Sequence, residues 1–239
     1  MRRAPTSTLT TLTTLTARIA PIALTALCSG LLLGCASKPP PPDWQANAQG
    51  AIERAVAAYL VGAARIEALE FARARSEVAR TGSPPLLARI ELMRCAARVA
   101  ALVFEPCAGF EALRSDAAAP ERAYAEYLAG RATAADVGLL PAAQRPVAGA
   151  AAQGAAPALA ALAAVEPALS RLVAAGVLFQ AGHASPGVIT QAIDTASAQG
   201  WRRPLLAWLL VQRERAKAAG DDVEAQRLQR RIDVIEGPR

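Results

Sequence analysis

The chain has 239 residues, with 26 lysines and arginines against 20 acids, a formal net charge of +6, and 53% apolar but only 4% aromatic residues. That length suits one substantial domain or two small ones. With one histidine, no histidine-built metal site can be drawn, and no Gly-x-Ser-x-Gly, phosphate loop or Gly-x-Gly-x-x-Gly points to hydrolase or nucleotide chemistry.

The first element is an export segment. Arg2, Arg3 and Arg18 are the only charges before Cys35, and Ile19 to Gly34 carry none. A positive segment followed by an apolar run too short for a comfortable membrane span, which needs about 20 residues, reads as a secretory signal. The alternative, a buried apolar helix, would have to tolerate Pro21 and then end in four prolines. The run closes with Leu32-Leu33-Gly34-Cys35, an aliphatic residue three before the cysteine and a small one just before it. This stretch resembles the lipobox of bacterial lipoproteins. The resemblance implies diacylglycerol on the Cys35 thiol, removal of residues 1–34 and acylation of the new amino end. Cys28 does not compete, because Leu27 is too large for the small-residue position. Ala36-Ser37 follow the cysteine where inner-membrane lipoproteins often carry Asp, so the resemblance implies the outer membrane, facing the periplasm. More than one acyl chain gives stable anchoring, so the membrane is the first expected partner. Residues 35–42 form the lipidated cysteine and a proline-rich tether, which favours extended polyproline II.

Loss of the three signal arginines takes the charge of residues 35–239 from +6 to +3. That weak excess, in a compartment without a genome, argues against a nucleic-acid partner.

From residue 43 onward the chain reads as all-α, built of antiparallel helical hairpins. Alanine, leucine, arginine and glutamate favour helix, and no β-branched run alternates with period two. In the N-terminal half, 43–140, Asp43 is the expected N-cap. Ile52, Val56, Tyr59, Leu60, Ile66, Leu69 and Phe71 predict one long helix or two broken near Gly62. Glu67, Glu70 and Glu77 among Arg65, Arg73 and Arg75 predict a solvated, ion-paired helix face. Thr81-Gly82-Ser83-Pro84-Pro85 ends this region and opens a helix from about 85 to 104. Pro120 opens another.

Cys95 and Cys107 are the remaining cysteines after the signal, apart from Cys35. An oxidising periplasm favours pairing them. A helix end near Val103 and a turn at Glu105-Pro106 would bring their α-carbons to about 5.5 Å. Two buried free thiols are the alternative.

Residues 141–156, rich in alanine, glycine and proline, are expected to be a loose connection or a short broken helix, and a seam between two helical halves. Pro146 to Val165 carry no charge, but the prolines, glycines and abundant alanine argue against a membrane span. The C-terminal half, 157–239, predicts helices over 157–180 kinked near Pro167 and a helix from Ser185-Pro186 to Gly200. Its last element is a hairpin over 204–237 turning at Gly220-Asp221. Leu205, Leu206, Trp208, Leu209 and Val211 give one apolar face, and Ala225, Leu228, Ile232 and Ile235 the other.

Ala225 follows Gly220 by five residues, Pro204 and Pro238 are 34 apart, and Ala192 precedes Pro204 by twelve. This pattern resembles tetratricopeptide repeats, which implies a short α-solenoid. Generic antiparallel helices in an alanine-rich chain explain the same spacings.

The expected function is therefore a non-enzymatic, outer-membrane-anchored lipoprotein whose hairpins present a surface to envelope proteins, with no cofactor and no metal. Trp201, Arg202, Arg203, Trp208, Arg227, Arg230 and Arg231 are candidate contacts, because Trp and Arg anchor interfaces, although core packing or solvated charge explains each equally well. A cell-wall or polar-ligand binder using the basic last hairpin is the alternative. An enzyme is disfavoured: His183 reads as a surface loop residue, and Ser115-Asp116 and Ser185-Pro186 as caps or turns.

Overall fold

Residues 41–237 are described by the structure, a computed structural model. The expected signal segment, Cys35, most of the expected tether and Pro238 lie outside the described residues. The helices are α1 (Asp43–Val61), α2 (Ala64–Ala79), α3 (Pro84–Ala100), α4 (Ala108–Glu111), α5 (Ala119–Leu128), α6 (Arg145–Ala151), α7 (Ala155–Ala163), α8 (Ala168–Gln180), α9 (Pro186–Ala198), α10 (Arg202–Ala218) and α11 (Asp222–Glu236), with a 3-10 turn at Val137–Leu139. Among the described residues there is no strand, and the class is all-α.

Local chemistry accounts for most boundaries. The first apolar pattern divides into α1 and α2 at Gly62, whose φ of +93° is a left-handed cap cheap only for glycine. The expected cap at Asp43 shifts by one residue. Pro42 occupies the N-cap position with no side-chain bond, and Asp43 is the first helical residue, where its charge complements the helix dipole. Ser185 accepts from the Val188 amide and Asp221 from the Glu224 amide, as N-caps should. Pro167 separates two helices rather than kinking one, because a proline lacks the amide proton that a continuous helix needs.

Helix α3 stops at Ala100, earlier than the expected 104. Leu102 takes φ +59°, and the Val103 amide donates to Arg98 O at 3.0 Å while the Leu102 amide donates to Val99 O at 3.0 Å. This is a Schellman ending with leucine where glycine is usual, at a cost of about 1–2 kcal/mol.

Helix α3 is the central element, touching α1, α2, α5 and α8. Its approach to α8 depends on Gly176, where a Cβ would run into the Val99 carbonyl oxygen. The largest core cluster runs from Ala88 to Ile232 and includes Leu140, Val147, Leu162, Leu172, Ile193 and Trp208. Residues 141–156 are thus not a break in packing. Val147 on α6 is buried, α6 lies against α7 and α8, and the core draws on both sides of the segment. A second cluster, Ile52, Phe71, Val78 and Ile90 with Trp44 against it, joins α1, α2 and α3.

The charged face of α2 is not a self-contained surface stripe. Glu67, only 8% exposed, accepts from Arg94 Nε of α3 at 2.9 Å, and Glu70 accepts from Arg54 of α1 at 2.8 Å. Arg75 pairs with buried Glu91 of α3, and Glu77 pairs locally with Arg80. Because α1 and α3 cover the flanks of α2, its edge charges reach across the helix contacts.

Candidate functional site

Cys95 on α3 and Cys107, just before α4, form a disulfide with α-carbons 6.0 Å apart. The early end of α3 and the left-handed Leu102 turn the chain back far enough for this. Beside the bridge lies a cavity of about 430 Å³ lined by α3, the strap 103–109 and the end of α5. Charged residues line it, yet each is engaged by the protein itself. Arg94 pairs with Glu67, Arg98 with Glu105 at 3.1 Å, Arg131 with Glu126 at 2.9 Å, Glu111 with Arg114 at 2.7 Å, and Glu91 with Arg75. The Arg114 guanidinium hydrogen-bonded to Glu111 holds that carboxyl below its ordinary range.

A second cavity, of about 500 Å³, lies among the end of α5, the following loop, α6 and the end of α8. No charged residue lines it. Tyr127 backs it, buried, and donates its hydroxyl proton to Gln144 Oε1 at 2.8 Å; Gln144 Nε2 in turn donates to Ser170 O at 3.0 Å. Burial pushes the phenol groups of Tyr127 and neighbouring Tyr124 well above their ordinary value. His183, exposed as expected of a loop residue, stands in the lining of this cavity.

The seven candidate contact residues do not form one surface. Trp208 is fully buried, stacks edge-on against Phe179 at 5.7 Å, and donates its Nε1 proton to Ala100 O at 3.1 Å. It therefore belongs to the core: it satisfies a carbonyl at the end of α3 that the helix itself leaves open. Trp201 is half-buried against the core. Arg203 lies 4.5 Å over the Tyr59 ring, fastening α10 to α1, and Arg202 donates to Glu236 O at 3.3 Å. Arg227 and Arg230 are exposed on α11, Arg227 paired with Glu224, while Arg231 is half-buried.

The structure adds two residues that the apolar periodicity passes over. Val223 and Val234, 80% and 82% exposed, share the outer face of α11 with Arg227 and Arg230 at spacings of four, three and four. Their signal in the sequence is that they fall off the Ala225, Leu228, Ile232, Ile235 register. The uncharged cavity had no such signal, since alanine and glycine are common everywhere in this chain.

No family model, curated protein or solved structure matches the chain. Among the described residues, no helix is long and apolar enough to cross a membrane, and no group of three or more histidines, cysteines, aspartates or glutamates is placed to hold a metal ion.

Proposed function

We propose that this protein is a periplasmic lipoprotein anchored to the outer membrane through Cys35, and that it acts without catalysis by presenting a helical surface to other envelope proteins. The observation that carries the reading is the outer face of α11, where Val223 and Val234 stand in solvent around Arg227 and Arg230 while the opposite face of the helix is buried. Two exposed aliphatic side chains flanking a pair of guanidinium groups suit a docking helix: apolar area supplies affinity and arginine supplies orientation. The lipobox resemblance supplies the anchor, and the Cys95–Cys107 disulfide supports an oxidising compartment. The hairpin α10–α11, with Ala225 buried at the crossing, supports the tetratricopeptide-like reading.

Photo-crosslinkers at positions 223 and 234 should capture one reproducible envelope protein, and Val223→Asp with Val234→Asp should abolish its capture while leaving the helical content unchanged. Unchanged capture by the double variant would exclude this face. Palmitate labelling should disappear in Cys35→Ser, and labelling that persists would remove the anchor. The alternative of cell-wall binding through Arg227, Arg230 and Arg231 has less support, because Arg231 is half-buried and does not share the exposed face of the other two.

A further inference from the structure

The uncharged cavity is empty space that the protein's own side chains do not fill, and its cause lies in α6. The face turned to it by α6 and its C-cap consists of Ala148, Gly149, Ala151 and the cap residue Ala152, which offer nothing longer than a methyl group. At Gly149 an added Cβ would meet no atom within 4 Å, so the space begins at the helix backbone. Across it stand Val177 and Leu178 of α8, both buried and already committed to the core.

The few polar groups are arranged by depth. Tyr127, 2% exposed, sits at the back with its proton given to Gln144, so its oxygen retains only the capacity to accept. Thr133 on the loop is turned to its own turn, with both its hydroxyl and its amide donating to Asp136 Oδ2 at 2.7 Å. His183 is exposed at the other side, where the end of α8 gives way to solvent. An apolar interior with a hydrogen-bonding group at its edge, in a volume of about 500 Å³, has the character of a small-molecule site. With no charged side chain in the apolar interior, a phosphate, nucleotide or polycation buried there would find no partner, so any polar or charged head belongs at the exposed edge.

We propose that this cavity binds the alkyl chain of a single-chain amphiphile, with the chain between α6 and α8 and the polar head beside His183. The site stands independently of the docking face on α11. Free carboxylic acids and the acyl chains of membrane lipids share this chemistry, and their sources are separable by experiment.

The test uses the purified full chain and its Cys35→Ser variant, so that an attached acyl chain is not mistaken for a ligand. A fluorescent eleven-carbon carboxylic acid is titrated in, then displaced by unlabelled acids of 6 to 16 carbons. The expected result is saturable binding that tightens by roughly fourfold per added methylene until the cavity is full. Gly149→Leu, which places a side chain in the open space, should weaken binding at least tenfold. Ala152→Leu, at the exposed C-cap just past the same helix, provides a second plug should the first variant misfold. His183→Ala should weaken binding of the acid more than that of the alcohol of equal length. Displacement by free acids but not by phosphatidylethanolamine–phosphatidylglycerol vesicles would assign the ligand to the free pool, and displacement by both to the membrane. Binding that shows no dependence on chain length, or that survives both plugs in folded protein, would overturn the proposal.

Discussion

The cavity beside the disulfide and the cavity beside α6 differ little in volume, about 430 against 500 Å³, and greatly in chemistry. The first holds glutamates and arginines, and every one of them already has an opposite charge within the protein. The second holds no charge at all. Ionisable groups cluster here as they do in many sites, yet they neutralise one another: three of the pairs fasten α3 to α2 and to the strap, and Glu111–Arg114 and Glu126–Arg131 are local. The capacity to bind lies where small residues leave room. Structural charge and functional vacancy thus occupy different parts of the same helical body.

The contrast can be broken first at the disulfide. Cys95→Ser with Cys107→Ser should lower stability by about 3 kcal/mol, from the loop-closure entropy of a link between residues twelve apart, and should leave alkyl binding beside α6 intact. Chemical denaturation and the fluorescent-acid titration read the two effects, and a simultaneous loss of binding would mean that the two regions are coupled. Next comes Arg94→Ala, which strands Glu67 between α2 and α3 without its partner. A loss of about 2 kcal/mol is expected in denaturant melts, and a neutral result would show that the pair contributes nothing net.

The pH dependences of the two regions should have opposite signs. Glu111, whose carboxyl is held low by Arg114, adds stability that is present above the ordinary glutamate value and lost as pH falls through its lowered one. Tyr127 and Tyr124, raised mainly by burial, favour the folded state below the ordinary tyrosine value near 10, and that contribution declines as pH rises above it and the unfolded chain ionises first. All three tyrosines of the chain are raised, Tyr59 also mainly by burial, so the folded protein should show little phenolate absorbance at pH 10. Early phenolate absorbance in folded protein would contradict this burial. The smallest effect is expected at Gly149. Gly149→Ala should raise stability by about 0.5–1 kcal/mol through helix propensity alone, since its methyl group meets nothing, and a destabilised variant would mean that the space is already occupied.

Much of the helical layout was legible in the sequence because the signals are local. Gly62, Pro84, Pro167, Ser185 and Asp221 act through their own backbone geometry or capping groups, and each stands at or beside a helix boundary. The end of α3 was not legible, because Leu102 adopts a left-handed turn that its residue type disfavours. Trp208 carried the same ambiguity as any tryptophan in an amphipathic helix, and one carbonyl more than a hundred residues earlier, Ala100 O, decides it for the core.

By itself the sequence determined the all-α class and many of the helix boundaries, because helix propensity and proline and glycine stereochemistry act over a few residues; between a Cys95–Cys107 bond and two buried thiols, the fold decided for the bond. Only the tertiary structure decided which arginines are spent on buried glutamates, which tryptophan is core, and that α6 fails to fill the space before it. Those outcomes depend on distances between elements far apart in the chain, where packing rather than local preference sets what each side chain meets.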